Sequence, residues 1–470
     1  MPDRQIYLLS PRDHSPETIA VAFAKTSRSP ESFREIAAGL TDEKSAQFHE
    51  KWVVGYGHAS VAEHAVLHIA FENVSRLAVE SIESNRLASY TEKSTRYQKW
   101  GPDNFFVPAE LDGHPLRAEF VEACRLLFQT YSDSLAPVRS LVLQRAERRA
   151  GESDEALDRR VRSQYVDVCR FLLPAASLAN VGMTANARVL ENTIRKMLSH
   201  PLEEVRAIGQ RVKEAATSEV PTLVKYAEPV PYLTETGREF STARPPDGRP
   251  ERADWCQLVD YDRQGESRVL AAVLYRFGEM TYARAWERVQ ALDEAGRRRL
   301  ADSLLQRLDE HDVPLRELEY AACTFELVMD QGAYAEFKRH RMMTQTPQLL
   351  TARLGYAVPR LLAEAGCEPQ YRHAMEAAAG VYEWLHAADP QVAQYVVANG
   401  FNRRVLAQFN LREAYHFCQL RAAPNAHFSI RRIAQRIRQE LCRAYPALTR
   451  FMHVPEETWQ QVEAQHFTGV

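Results

Sequence analysis

The chain has 470 residues, 45% of them apolar and 26% charged, with 59 Lys and Arg against 62 Asp and Glu for a formal net charge of -3. That balance excludes a general attraction to nucleic acid or to an anionic membrane surface, so any anion must be held by a local cluster of cations. No apolar run approaches the roughly 18 to 20 residues of a membrane span, and the opening MPDRQIYLLSPRDH has no secretory apolar core. The seven cysteines, Cys124, Cys169, Cys256, Cys323, Cys367, Cys418 and Cys442, are scattered and form no C-x-x-C pair. This is the usage of a reduced, cytoplasmic protein with no disulfide frame and no zinc site.

In chain order, the first informative stretch is GHASVAEH, residues 57–64. Its Ser60-x-x-Glu63 reads as a capping box, and His58 and His64 lack the i,i+4 spacing of two metal ligands on a helix. An apolar run from Ala65 to Phe71 reads as a strand, and the helical segment after it ends at Ser84-Asn85-Arg86. Then come the loop YTEKSTRY (90–97), Val107-Pro108, a helix over Glu119–Leu135, CRFLLP around Arg170, NARVLENTIRKMLSHP from Asn186, and a helical pattern over Leu202–Val224. Between Tyr226 and Gln264, Pro229, Pro231, Pro245, Pro246 and Pro250 with Gly237 and Gly248 mark a linker.

Beyond it the order returns. An apolar run from Ala321 to Val328 precedes a helical segment ending at Arg339-His340-Arg341, a polar loop, Val358-Pro359, NLREAYHFCQLRAAPNAH from Asn410, and a helix over Arg431–Tyr445. A repeat this long is a duplicated domain, not a solenoid. The expected fold is α+β: two tandem helix-rich α/β domains, 1–228 and 263–470, joined by a linker at 229–262.

Two stretches carry candidate chemistry. Glu92, Ser94 and Arg96 alternate, so in an extended loop they share one face. A hydroxyl beside a guanidinium can hold a phosphate, while Glu92 suits a donor such as a ribose hydroxyl or a base N–H. Taken alone, the stretch fits a polar surface loop better. In KRHRMMTQTPQ (338–348) a block of cations has no acid interleaved. A cationic last turn complementing the helix dipole accounts for two of Arg339, His340 and Arg341. Successive helical residues point about 100° apart, so the three do not all face solvent together, and an anionic, multi-phosphate cofactor suits the remainder. Common nucleotide and hydrolase motifs (G-x-G-x-x-G, the P-loop, G-x-S-x-G) are absent.

Together these stretches resemble the flavin-dependent thymidylate synthases. That family has R-H-R, then E-x-S-x-R-Y, an upstream G-H-x-[ST]-x-x-E-H, and a downstream N-A-R segment running to a catalytic arginine. The resemblance covers nearly the whole chain as two tandem domains: GHASVAEH, SNRLASYTEKSTRY and NARVLEN in the first half, RHRMM and NLREAYHFCQLR in the second. The departures are complementary. The first half has Ser84-Asn85-Arg86 in place of RHR and Lys196 or Met197 at the catalytic arginine's place, but keeps Glu92, Ser94, Arg96 and Arg170. The second keeps RHR and Arg421, but its loop reads TPQLLT (346–351) and Gln394 stands where the phosphate arginine belongs.

The resemblance implies a site split between halves, in a homodimer that forms a pseudo-tetramer of domains. It implies Arg421 as catalytic, and Glu92, Ser94, Arg96, Arg170, Arg339 and Arg421 as substrate-binding. His58, Ser60, Glu92, Asn186, Arg188, Asn192, Arg339, His340 and Arg341 would contact FAD, with Asn410, Arg412 and His416 as second-half counterparts and no metal. The implied reaction is reductive methylation of dUMP to dTMP, with NADPH and methylenetetrahydrofolate as co-substrates. Two alternatives stay open: another pyrimidine nucleotide as acceptor, or a degenerate, non-catalytic nucleotide-binding paralogue.

Overall fold

A computed structural model describes residues 7, 9–27, 29–55, 58–96, 98, 100–241, 254–309 and 311–468. Tyr56 and Gly57, Tyr97 of YTEKSTRY, and 242–253 of the expected linker lie outside the described residues. The fold is mixed α+β, with small antiparallel sheets among many helices. Seven strands are described: β1 Val66–Ser75, β2 Ala88–Glu92, β3 Leu178–Asn186, β4 Cys256–Tyr261, β5 Ala322–Asp330, β6 Thr344–Pro347 and β7 Asn402–Asn410. They form two sheets, ordered β1-β3-β2 and β4-β5-β7-β6.

The duplication is visible in register. Val66 opposes Asn186 in the first sheet, and Ala322 opposes Asn410 in the second. In each copy the central strand ends in an asparagine that caps the next helix: Asn186 Oδ1 accepts from Val189 N, and Asn410 Oδ1 from Glu413 N, both at 2.9 Å. The residue ending β1 or β5 caps likewise, Ser75 accepting from Ala78 N at 2.9 Å and Asp330 from Ala333 N at 2.8 Å. These side chains satisfy orphan N–H groups of the first helical turn, so the strand-to-helix corners are fixed locally.

The compact units cut the chain differently from the sequence halves. One comprises Met1–Ser94, Asn104–Ala118 and Ala176–Gly248; the other comprises Thr95–Asp103, Glu119–Ala175 and Arg249–Val470. The second unit thus holds the four-stranded sheet together with most of helix Arg117–Arg145, all of helix Asp154–Cys169 and the short turn Arg170–Leu172. Its core stacks Phe325 on Phe409 at 5.6 Å and buries Phe337, Tyr415, Phe417 and Ile433. Full burial of each such side chain stabilises by roughly 1.5–3 kcal/mol relative to exposure.

Several expectations are corrected. The stretch expected as linker folds in part: Pro231–Phe240 is a helix with Pro231 at its first position, where its missing N–H costs nothing, and Cys256–Tyr261 is a strand on the edge of β5. The helical pattern over Leu202–Val224 divides into Glu203–Thr217 and Pro221–Val224, because Pro221 starts a new turn. Arg339-His340-Arg341 is not the last turn of a helix. Helix Gln331–Phe337 ends first, and the tripeptide follows its C-cap Lys338 in a turn, so none of its three cations belongs to the last helical turn.

Candidate functional site

Three arginines drawn from both sequence halves meet in the second unit. Arg96 is held in a bidentate pair by Asp167, with Nε to Oδ1 at 2.8 Å and Nη2 to Oδ2 at 2.7 Å. Arg170, one turn beyond Asp167, has a side chain only 5% exposed. It donates to Thr95 Oγ1 at 3.2 Å and to Glu336 Oε1 at 3.4 Å. Arg421, the last residue of helix Leu411–Arg421, donates from Nη1 to Glu336 Oε2 at 3.0 Å and from Nε to His340 Nε2 at 2.9 Å. Glu336 therefore bridges a guanidinium from each half of the chain.

His340 is buried between Arg421 and Glu413, whose Oε1 lies 3.0 Å from Nδ1. A guanidinium N–H can only donate, so Nε2 must accept and the ring proton must sit on Nδ1, directed at Glu413. Burial lowers the His340 pKa, with Arg421 acting the same way and Glu413 opposing, which favours this neutral form. Burial also lowers the Arg421 pKa; Glu336 opposes, while the charges of Arg339 and Arg96 add to the lowering. Beside Asp167 and Arg170 lies His427, pushed well below its ordinary pKa by burial and by Arg170, and its Nε2–H donates to the Asp167 carbonyl at 3.2 Å.

One backbone feature explains how the halves share this unit. Pro174 stands four residues before β3 and Ala398 four before β7, equivalent places in the two copies, and they bridge each other antiparallel. The bonds are reciprocal: Ala175 N donates to Val397 O at 2.9 Å, and Asn399 N to Leu173 O at 3.0 Å. Self-complementary pairing of equivalent residues is the mark of a two-fold contact, here inside one chain. It anchors the segment that carries Arg170, whose carbonyl also accepts from Asn399 Nδ2 at 3.0 Å.

The other expected residues are placed as follows. Arg339 is exposed and Arg341 half-buried. In the first unit Glu92 is paired with Arg76 at 2.9 Å, and Ser94 is half-buried. His58 and Ser60 line a cleft of about 740 Å³ with Phe23, Phe48, Trp52 and His64. Asn186 is a cap, Arg188 pairs with Glu63, and Asn192 is exposed. Asn410, Arg412 and His416 line a second-unit cleft of about 750 Å³, where Arg412 is tied to Glu319 at 3.0 Å and to the Pro314 carbonyl at 2.9 Å. Gln394 is buried; its Oε1 accepts from Leu350 N at 3.1 Å. Sequence reasoning missed Asp167, Glu336, Glu413 and His427. Asp167, three residues before Arg170, carried a helical-spacing signal, and Glu336 stands three before Arg339; Glu413 and His427 have no local signal, because only tertiary packing gives them their partners.

Burial pushes the thiols of Cys124, Cys169, Cys256, Cys323 and Cys418 up, away from thiolate. Among the described residues no helix is long and apolar enough to cross a membrane.

A duplicated α+β unit in which largely enclosed arginines from both copies meet defines a class of fused, pseudo-symmetric tandem-domain proteins. Comparison with known families makes the assignment narrower. The chain belongs to the thymidylate synthase complementing protein family, whose profile matches it twice, over residues 8–222 and 257–447. It is 32% identical to a UPF0159 protein of Chlamydia muridarum over 87% of this chain and 81% of that protein. It is 28% identical to a UPF0159 protein of Thermoplasma acidophilum over 86% and 88%. A flavin-dependent thymidylate synthase of Clostridium tetani is 27% identical over 46% of this chain and 83% of that enzyme, as expected when one chain holds two copies of a shorter one.

Proposed function

We propose that the protein is a flavin-dependent thymidylate synthase that methylates dUMP to dTMP, using methylenetetrahydrofolate and NADPH, with one working site per chain and two chains forming a pseudo-tetramer of domains. The observation that carries this reading is the convergence of Arg96, Arg170 and Arg421 within one compact unit. Each half alone lacks part of that set, while the fused chain has it whole. A further support is the buried Nε of Arg170, which donates no hydrogen bond among the described residues. A nucleotide phosphate beside Arg96 and Arg170 would use such a donor.

Arg421 stays cationic through any ordinary pH and so does not act as a base. Its role is to stabilise negative charge developing on the uracil ring, an electrostatic task that a buried, pre-oriented guanidinium performs well. His340 and Glu413 hold that guanidinium from one side and Glu336 from another.

For the flavin, the fit is partial. The aromatic walls of the 740 Å³ cleft suit a flat ring, and His58 and Ser60 line it. In the same unit Asn186, Arg188 and Asn192 are the polar candidates, and in the second unit Arg339 and Arg341 are the cations suited to an anionic cofactor. His340 contributes little directly, since both its ring nitrogens are engaged. The flavin, when bound, supplies the hydride chemistry that side chains lack.

One observation favours a second reading, nucleotide binding without turnover: Asp167 and Glu336 already neutralise much of the arginine cluster. The deciding experiment is an absorption spectrum of the purified protein, followed by assays with dUMP, UMP and dCMP. A flavin band with dTMP formation supports the first reading. A flavin band or nucleotide binding without product from any of the three supports the second, and product from UMP or dCMP alone moves the acceptor to that nucleotide.

A further inference from the structure

The carboxylate of Glu336 lies between two guanidiniums with different tasks. Its Oε1 accepts from Arg170, at the phosphate end, over a long 3.4 Å; its Oε2 accepts from Arg421 at 3.0 Å. The side chain is 11% exposed, so solvent does little to screen either pair. Arg421 is in turn tied through Nε to His340, and His340 to Glu413. The result is one continuous line of contacts, Arg170, Glu336, Arg421, His340, Glu413.

We propose that Glu336 is a positioning residue that couples occupancy of the phosphate end of the site to the orientation of Arg421. The inference rests on the reading above only for the identity of the anion. When a phosphate takes Arg170, the weaker of the two Glu336 contacts loosens. The carboxylate then gives its charge wholly to Arg421, holding that guanidinium in its place against His340. An empty phosphate end leaves Glu336 shared and Arg421 less firmly held. Couplings of this kind change affinities by about 5- to 150-fold. A bare salt bridge in a structural role would stabilise the fold but transmit nothing.

The test uses the full-length, flavin-loaded protein with 15N-labelled histidine. Inorganic phosphate is the first probe and dUMP the second, with binding followed by calorimetry. In the native protein, phosphate is expected to shift the His340 Nε2 resonance, assigned by its loss in H340N. In E336Q phosphate should still bind through Arg96 and Arg170, but that shift should vanish. E336D, which keeps the charge but is one methylene too short to bridge both arginines, guards against a folding failure of E336Q and should lose the shift as well. As an activity readout, phosphate added in trans should raise native turnover of deoxyuridine and leave that of E336D unchanged, and equal stimulation of the two would overturn the coupling. Absence of the shift in the native protein, or its persistence in both variants with phosphate bound, overturns the coupling. The shift pattern found in a protein that makes no dTMP would support the coupling while removing the synthase reading, so the two failures are distinguishable.

Discussion

Removing the Arg170 guanidinium separates ligand binding from stability, and the contacts it makes set the scale of each effect. The side chain is 5% exposed, donates to Thr95 and Glu336, and lies 3.9 Å from Asp167. In Arg170→Ala neither acid is stranded: Glu336 keeps Arg421 at 3.0 Å, and Asp167 keeps its two-bond pair with Arg96. The stability cost should therefore fall below the roughly 3–5 kcal/mol of a buried charge stripped of its partner, at about 1–3 kcal/mol. Nucleotide binding loses a charge-assisted contact of about 1.5–3 kcal/mol, which weakens dUMP by roughly 10- to 150-fold. Calorimetric titration of the flavin-loaded variant measures the second effect and urea denaturation the first. Gln394→Ala is the control, because Gln394 occupies the equivalent place in the other copy and its side chain bonds Leu350 N and Gln391 among the described residues. It should cost stability and leave dUMP affinity unchanged. Equal loss of dUMP affinity in the two variants would refute the assignment of the phosphate to the first-half arginine.

Arg421→Ala should lower turnover by orders of magnitude while flavin stays bound, since an interaction used mainly in the transition state acts on kcat; near-normal turnover removes Arg421 from the mechanism. The flavin-loaded protein should bind one dUMP per chain by calorimetry, and two per chain would rule out the split site. Gly400→Ala should destabilise by about 1–3 kcal/mol in a chemical melt, because its Cβ would lie 2.5 Å from the Tyr371 hydroxyl and 3.3 Å from the Phe171 carbonyl. Burial, with Arg206 and Arg431 adding, holds His200 and His466 down to about 4, against 6.5 in an unfolded chain. The unfolded state thus takes up protons first, so their contribution is complete above about 6.5 and is lost as pH falls toward about 4, by up to roughly 3 kcal/mol each. His466→Phe, which keeps the ring stacked on Phe428, should make that acid limb shallower, and an unchanged limb would count against the assignment.

The duplication, both strand runs and the arginines were legible because each leaves a local mark: an apolar run, a cap, a cation at a fixed offset from a motif. Ala65–Phe71 and Ala321–Val328 fall on β1 and β5 with ends shifted by a few residues. In β1 the extension passes through a bulge with Asn73 at φ 56°, a left-handed conformation that asparagine tolerates better than most residues. What sequence could not show was the partner of each charge. Asp167 and Glu336 read as ordinary helix acids until packing sets arginines from distant segments against them. The folding of Cys256–Tyr261 was hidden for a related reason: six residues beside a proline-rich stretch become a strand only because β5 offers an open edge.

The reciprocal backbone bonds between Leu173–Ala175 and Val397–Asn399 bear on how the gene can be divided. A break in the stretch between the copies would leave Arg170–Ala175 on one polypeptide and its hydrogen-bonding counterpart on the other. Each fragment would then expose main-chain groups and buried side chains, such as Leu172 and Val396, that are sheltered in the intact chain. Two such fragments should behave as a complementation pair, poorly soluble apart and restored by co-expression. The fusion thus turns an encounter between separate polypeptides, which dilution would weaken, into an intramolecular one that concentration cannot touch.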